Sequence, residues 1–256
     1  MSLPALFIGH GSPLQAIEPS RYTAAWEQLG RSLPRPESIV VISAHWYTRG
    51  TAVTAMARPR TIHDFYGFPA PMYAIEYPAA GDQQLAERVA ALAAPALVHA
   101  DHEWGLDHGT WSVLRYLYPA ADIPVIQLSI DAQLPPRAHY ELGARLADLR
   151  DRGVLLLGSG NVVHDLRALQ PDAAAPLPWA QTFNEQVRDA LQQRDHAALI
   201  DYAALGPAAR QSVPTPEHYL PLLYVLGAQR PGESTSVLID GIEMGAIGML
   251  SIQVGA

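Results

Sequence analysis

Cysteine is absent from this sequence of 256 residues, which excludes disulfide bonds and metals held by thiolates. A bound metal would therefore need imidazole, carboxylate or water ligands. Basic clusters are missing as well, and the formal net charge is -8 at pH 7. This charge balance argues against a nucleic-acid partner and against binding to an anionic membrane surface.

Long apolar runs are also missing. No segment approaches the roughly 20 apolar residues that a membrane span requires. The N-terminal segment lacks a basic start, and its apolar stretch is too short for a secretory signal. We therefore expect a cytoplasmic protein with no membrane partner. No repeat, low-complexity tract or long linker divides the chain, so we expect one domain over residues 1–256.

The apolar pattern of the chain alternates between short aliphatic runs and amphipathic segments. Continuous aliphatic runs are typical of buried parallel strands, and the alternation predicts an α/β fold whose mostly parallel central sheet is flanked by helices. Strands are predicted over residues 5–8, 38–43, 123–130, 154–157, 236–239 and 249–254. Helices are predicted over residues 22–33, 83–94, 110–118, 137–152, 179–193 and 219–226. Residues 168–178 and 205–214 are predicted as loops.

Four histidines stand where this fold would gather ligands. His10, His45 and His164 follow predicted strands, and His218 lies in the first turn after a predicted helix start at residues 215–217. Ligands of open α/β sheets collect at the carboxyl ends of the strands, so we predict a metal site there. Each histidine taken alone has a simpler explanation, such as a glycine-rich turn around His10 or an exposed helix start at His218.

A fifth histidine, His108, follows Asp107 and precedes a predicted helix. An acidic neighbour suits an imidazole that exchanges protons, although packing of His108 against Trp104 and Trp111 is an alternative. The other five histidines are His63, His99, His102, His139 and His196. They are predicted to be mostly surface residues, except that His63 begins an unusual loop. That aromatic loop, residues 61–78, either packs on the domain's own core or forms the wall of a pocket for a planar ligand.

Six separated motifs carry a resemblance to a known family. They are HGSP from His10, SAHW at 43–46, HDFYGFP at 63–69, DHG at 107–109, SGNVVHDL at 159–166 and TPEHYLPLLYVLGA at 215–228. In this order they resemble the DOPA-type extradiol aromatic ring-opening dioxygenases, over nearly the whole chain. The resemblance implies a single α/β domain and a divalent metal, Zn or Fe(II), bound by His10 and His45, with His164 and His218 completing or bordering the site.

The resemblance also implies a reaction. The adjacent hydroxyls of a DOPA- or caffeate-like catechol would chelate the metal, and O2 would be inserted into the ring beside them. His108 and His164 match the positions of the catalytic histidines. Many extradiol enzymes use a carboxylate as third ligand, and Glu217 and Glu243 are the nearby candidates by motif.

Two other functions remain open at this stage. One is a zinc-dependent hydrolase on the same scaffold, in which the metal activates water. The other is a non-catalytic relative that binds protein. The expected partners of the enzyme are the catechol and O2, without nucleic acid or membrane, and a homo-oligomer is compatible with the sequence.

Overall fold

The computed structural model describes residues 2–255, and its centre is a sheet of eight strands. The described residues form ten strands in all, eight of them in this sheet. They are β1 (Ala5–Gly9), β2 (Ser38–Thr48), β3 (Thr51–Thr54), β4 (Val98–Asp101), β5 (Val125–Asp131), β6 (Val154–Gly160), β7 (Thr235–Ile239), β8 (Ile242–Glu243), β9 (Ile247–Gly248) and β10 (Ser251–Val254). Strands β8 and β9 pair with each other in a separate small sheet. The other eight follow the order β4-β3-β5-β2-β6-β1-β10-β7.

The four central strands, β5, β2, β6 and β1, are all parallel to one another. Val40 of β2, for example, pairs with Ile126 on one side and Leu156 on the other. Antiparallel pairing is confined to β3 with β5 and to the β1-β10-β7 side of the sheet. The predicted mostly parallel α/β architecture is thus confirmed. Parallel strands place all four central carboxyl ends at one edge, where ligands can gather.

Helices cover both faces of the sheet. They are α1 (Arg21–Ser32), α2 (Gln83–Leu92), α3 (His108–Leu117), α4 (Pro136–Leu146), α5 (Pro178–Gln193), α6 (His196–Ile200), α7 (Pro207–Ser212) and α8 (Leu220–Gly227). Side chains of β2 alternate between two apolar cores: Ile39 and Val41 pack with α1 and α3, whereas Val40 and Ile42 pack with α2, α4, α5 and α8. This period of two explains why the central strands read as unbroken aliphatic runs. Among residues 2–255, no helix combines the length and apolarity of a membrane span.

Several predicted boundaries were wrong. The predicted helix over residues 137–152 ends its α-helical part at Leu146 and continues as a 3-10 helix to Arg152. The predicted loop over residues 205–214 contains α7. Strands β3 and β4 were not predicted, because each has only four residues, which is too few to show a clear alternation of apolar and polar side chains.

The predicted helix start at residues 215–217 was also wrong. Helix α8 begins at Leu220, and the carbonyl of Pro216 accepts hydrogen bonds from the backbone amides of Tyr219 and Leu220 in a preceding turn. His139 is fully buried in α4, not on the surface, and its Nδ1 lies 3.0 Å from the hydroxyl of Tyr224. Burial lowers the pKa of His139 to about 4, so this ring packs as a neutral group.

Arg150, in the 3-10 helix that follows α4, is buried and links three segments that are distant in the sequence. Arg150 Nε donates to the carbonyl of Leu3, and Nη1 donates to the carbonyl of Ala228. The same guanidinium forms a two-pronged ion pair with Glu233, at 2.7 and 2.8 Å. Every edge of the guanidinium therefore has a partner, which is the condition for burying such a charge.

We expect Arg150→Ala to lower the free energy of unfolding by about 3 kcal/mol, because it removes the ion pair with Glu233 and the donors to two carbonyl groups. Urea denaturation followed by circular dichroism measures this change. Arg35→Ala is the control, since Arg35 forms an exposed pair with Asp122 and its loss should change little. Equal effects of the two substitutions would contradict this account of Arg150.

Candidate active site

One cavity of about 880 Å³ opens at the carboxyl edge of the central strands. All five histidines singled out from the sequence line it. They are His10, His45, His108, His164 and His218. The fold therefore brings together side chains that are up to 208 positions apart in the sequence numbering, from His10 to His218.

His10 and His45 lie on neighbouring parts of the sheet edge. His10 follows β1 directly and is buried. His45 lies inside β2, not beyond it, in a stretch where the pairing with β5 shifts register between Ile42 and Tyr47. The Nε2 atoms of His10 and His45 are 3.2 Å apart.

His164 and His218 form the opposite wall of the cluster. The backbone amide of His164 donates to the carbonyl of Ser212, and His218 lies in the turn before α8. Their rings stack with centroids 3.5 Å apart and planes 9° from parallel. Gly160, at the end of β6, lets the turn that carries His218 pack closely against this strand, because a Cβ at position 160 would collide with the carbonyl oxygen of His218.

The hydrogen bonds of His10 assign its tautomer. Its Nδ1 lies 3.0 Å from Ser159 Oγ, and this hydroxyl donates its only proton to the carbonyl of Gly109 at 2.6 Å. Ser159 Oγ must then accept a hydrogen bond from the N–H at Nδ1 of His10. The lone pair of His10 is consequently on Nε2, the atom that faces His45.

Carboxylates stand beside Nδ1 of the other two rings. His218 Nδ1 is hydrogen-bonded to Glu217 at 3.3 Å, and because a carboxylate only accepts hydrogen bonds, the proton of this ring is on Nδ1 and its lone pair is on Nε2. His45 Nδ1 lies 3.3 Å from Asp64, an ion-pair contact without hydrogen-bond geometry, and the negative charge of Asp64 favours the proton on Nδ1 of this ring as well. The Nε2 atom of His218 is buried and has no hydrogen-bond partner among the described residues.

These three imidazoles fit a divalent metal. One ligand atom from each of His10, His45 and His218 lies within 4.8 Å of those of the others. Lone pairs that face one another repel unless a cation or a proton lies between them, and metal-binding histidines characteristically donate their second ring N–H to an acceptor. The donor set, the orphaned nitrogen and the three acceptors all agree with such a site.

Burial keeps these rings neutral. It lowers the pKa of His10, His45 and His218 well below the usual value, and neighbouring imidazoles lower it further. For His164, burial lowers the pKa to about 4, against a smaller opposing effect of Glu217. Neutral imidazoles can bind a metal or accept a proton at neutral pH.

Asp64 is a site residue that the sequence did not single out. Its Oδ2 lies 2.9 Å from His108 Nδ1 and 3.3 Å from His45 Nδ1, and its Oδ1 accepts the backbone amide of His108. Burial raises the pKa of Asp64, but the hydrogen bonds and charge of His108 together with His45 outweigh it and lower the pKa to about 2. Asp64 stands inside the HDFYGFP motif, yet its loop position shows no strand ending that would mark it as a ligand-facing residue.

The two carboxylates named from the motifs behave differently. Glu217 lines the cavity beside His164 and His218. Glu243 instead accepts two hydrogen bonds from the amide of Gln15, at 2.9 and 3.0 Å, and is not among the lining residues.

The aromatic loop packs on the protein's own residues and also lines the cavity; whether it holds a planar ligand stays a prediction. Phe65 packs against Trp111 and against His108, whereas Phe65, Phe68 and the exposed Tyr66 line the cavity. His63, at its start, lies 2.9 Å from the carbonyl of Ile75 through Nε2. Of the two tryptophans considered as packing partners for His108, Trp104 stacks on Trp46 instead.

Comparison with known proteins places the chain in a family. Residues 5–249 match the family model described as the catalytic LigB subunit of aromatic ring-opening dioxygenase. The chain belongs to this family, as the motif resemblance indicated, and is an extradiol ring-cleavage dioxygenase. Members of the family use a divalent metal and act on a small aromatic substrate with O2. This result favours the dioxygenase over the hydrolase and the non-catalytic relative.

Relatives support the same assignment over the whole chain. The chain is 52% identical to 4,5-DOPA dioxygenase extradiol of Escherichia coli K12, over 99% of this chain and 95% of that protein. It is 39% identical to 4,5-DOPA dioxygenase extradiol of Beta vulgaris, over 87% and 85% of the two chains. A crystal structure of an uncharacterized protein from Escherichia coli K12 superposes with a TM-score of 0.87 at 48% identity, covering 99% of this chain and 100% of that one.

The low pKa values predict a pH-dependent stability of the metal-free chain. A histidine that is neutral when folded and protonated when unfolded contributes stability that is lost as pH falls below about 6.5. We expect the free energy of unfolding in a chelator to fall between about pH 7 and about pH 5, by up to about 1.4 kcal/mol per pH unit for each such histidine. Urea titrations at a series of pH values measure the slope. His164→Gln should reduce this slope, whereas exchange of the exposed His102 for Gln should not; identical slopes would contradict the assignment.

Proposed function

We propose that this chain opens the ring of a DOPA- or caffeate-like catechol with O2 in a metal-dependent reaction, and that residues 1–256 form its one catalytic domain. The observation that carries this proposal is the convergence of three lone-pair nitrogens, those of His10, His45 and His218, at the buried end of an aromatic-lined cavity. The printed names of the Escherichia coli and Beta vulgaris relatives support a catechol of the DOPA type.

His10, His45 and His218 would hold the metal. His164 stacks on the face of His218 and shares no three-residue cluster with His10 or His45, so we assign it to the border of the metal site. Imidazole ligands suit both Zn²⁺ and Fe²⁺, but zinc has no redox chemistry, and we therefore propose Fe²⁺ for the active enzyme. When bound, Fe²⁺ would supply Lewis-acid binding of the catechol oxygens and electron exchange with O2.

His108 and His164 would act as proton acceptors for the substrate. Hydrogen bonding of His108 Nδ1 to Asp64 leaves Nε2 as a proton acceptor, and the carboxylate stabilises the imidazolium that results. His164 lines the other side of the cavity, and its low pKa keeps it neutral before the substrate binds. We assign to these two rings the removal of the protons of the catechol hydroxyls.

Apolar side chains would hold the aromatic ring. Phe65, Phe68, Leu169, Met244 and Ile247 line the cavity between the histidines and its opening. Such walls bury a planar ring and exclude water from the reacting atoms. The histidines gather at the buried end, and we propose that the hydroxyls of the catechol enter first and reach them there.

The direct test is reconstitution of the metal-free protein without oxygen. We expect protein loaded with Fe²⁺ to consume O2 and to form a yellow ring-opened product with DOPA or caffeate, because iron and the histidines together supply the chemistry. Protein loaded with Zn²⁺ should bind metal without consuming O2. An oxygen electrode and absorbance spectra measure both results. Turnover of esters or amides without oxygen, in place of O2 uptake with any catechol, would overturn the proposal.

Two substitutions separate metal binding from proton transfer. We expect His45→Ala to lose the metal, with activity reduced about 100-fold or more and only a modest loss of fold stability. His164→Gln should keep the metal but lower kcat by about 100-fold or more, since it removes a proton acceptor. Metal content after gel filtration and O2 uptake provide the readouts, with exchange of the exposed His102 for Ala as control. Retention of metal and activity by His45→Ala would refute its assignment, and loss of metal by His164→Gln would make His164 a ligand.

A further inference from the structure

The charges around the cavity are unevenly distributed. Three carboxylates line it, those of Asp64, Asp165 and Glu217. Among the described lining residues, Arg167 is the one permanent cation. None of the metal-binding or proton-transfer roles proposed above uses this arginine.

Arg167 is held in place at the cavity mouth. Asp165 caps the short 3-10 helix Leu166–Ala168, and its Oδ1 accepts hydrogen bonds from the backbone amide and Nε of Arg167, at 3.0 and 2.9 Å. Its Oδ2 accepts a third bond from Nη2 at 3.2 Å. The fork of the guanidinium is thereby fixed along one edge, although the Arg167 side chain is 78% exposed.

The other edge of the guanidinium is free to bind a ligand. A guanidinium carries five N–H donors, and Asp165 accepts two of them. The two protons on Nη1 and the second proton on Nη2 make no hydrogen bond among the described residues. Such an edge matches the two oxygens of a carboxylate, and because Asp165 already orders the side chain, little further entropy is lost on binding.

The position of Arg167 fits the tail of a bound catechol. His10 and His218, at the buried end, are 2% and 7% exposed, whereas Arg167 lies three residues beyond His164 at the open end. A catechol whose hydroxyls reach the histidines directs its side chain away from them, toward the opening. We propose that Arg167 binds a carboxylate on that side chain and so selects catechols that carry one. This inference rests on the proposed function, since it assumes a catechol at the histidines.

Electrostatics strengthens the selection. With Arg167 present, its charge compensates the adjacent Asp165. Without Arg167, the cavity lining would hold three carboxylates and no permanent cation, which repels an anionic substrate. Loss of Arg167 therefore removes its attraction for the substrate carboxylate and leaves the repulsion by the three lining carboxylates uncompensated. A neutral substrate experiences neither effect.

Caffeate and methyl caffeate provide the test, because they share the ring and the tail and differ in the carboxylate charge. The metal-loaded protein is titrated with each compound without oxygen, and the change in tryptophan fluorescence gives the Kd. We expect Arg167→Gln to weaken caffeate binding about tenfold or more and to leave methyl caffeate within about twofold. Arg167→Lys should fall between, because lysine keeps the charge and loses the fork. In turnover assays the KM for caffeate should rise while kcat stays constant.

Arg35→Gln is the matched control. Arg35 is also an exposed arginine paired with an aspartate, Asp122, but it does not line the cavity. It should change neither Kd. The inference fails if Arg167→Gln weakens both compounds equally, or neither, or if Arg35→Gln has the same effect as Arg167→Gln. Binding is measured without turnover, so failure of the enzyme to open any catechol would refute the proposed function separately from the role of Arg167.

Discussion

The constraint on which this site depends is the set of polar partners that face the Nδ1 atoms of three imidazoles. His10 donates to Ser159, while His45 and His218 each face a carboxylate through Nδ1. These partners fix which ring nitrogen carries the lone pair, and they leave the Nε2 atoms of His10 and His45 only 3.2 Å apart. Lone pairs that face each other at this distance repel, so the arrangement favours a cation between the rings, as the proposed metal site requires.

The residues of the site come partly from the central sheet and partly from segments outside it. Ser159 belongs to β6 and His45 to β2, and these two strands are paired in parallel. Asp64 and Arg167, by contrast, come from segments outside the sheet that line the cavity. Of the three proposed metal ligands, His45 lies in β2, His10 directly follows β1, and His218 lies in the turn before α8 that packs against the end of β6 at Gly160.

The sequence predicted some elements well and others badly, for identifiable physical reasons. Strands β1, β2, β5 and β6 were found because burial on both faces makes them continuous aliphatic runs. His139 was wrongly assigned to the surface, because its helix is amphipathic and the hydroxyl of Tyr224 that satisfies it comes from α8, about 85 positions away. The start of α8 was placed too early, since Thr, Pro and Glu form a good helix start locally but here build the turn that carries His218.

By itself, the sequence determined the fold class, the family and which histidines to consider, because aliphatic runs and ordered motifs are local properties of the chain. Only the tertiary structure decided the partners of those histidines. It showed Asp64 between His45 and His108, His164 stacked on His218, and Arg167 fixed by Asp165 at the cavity mouth. The imidazole contacts join residues from distant parts of the chain, and their distances depend on strand pairing and on close packing at Gly160, which no local pattern encodes.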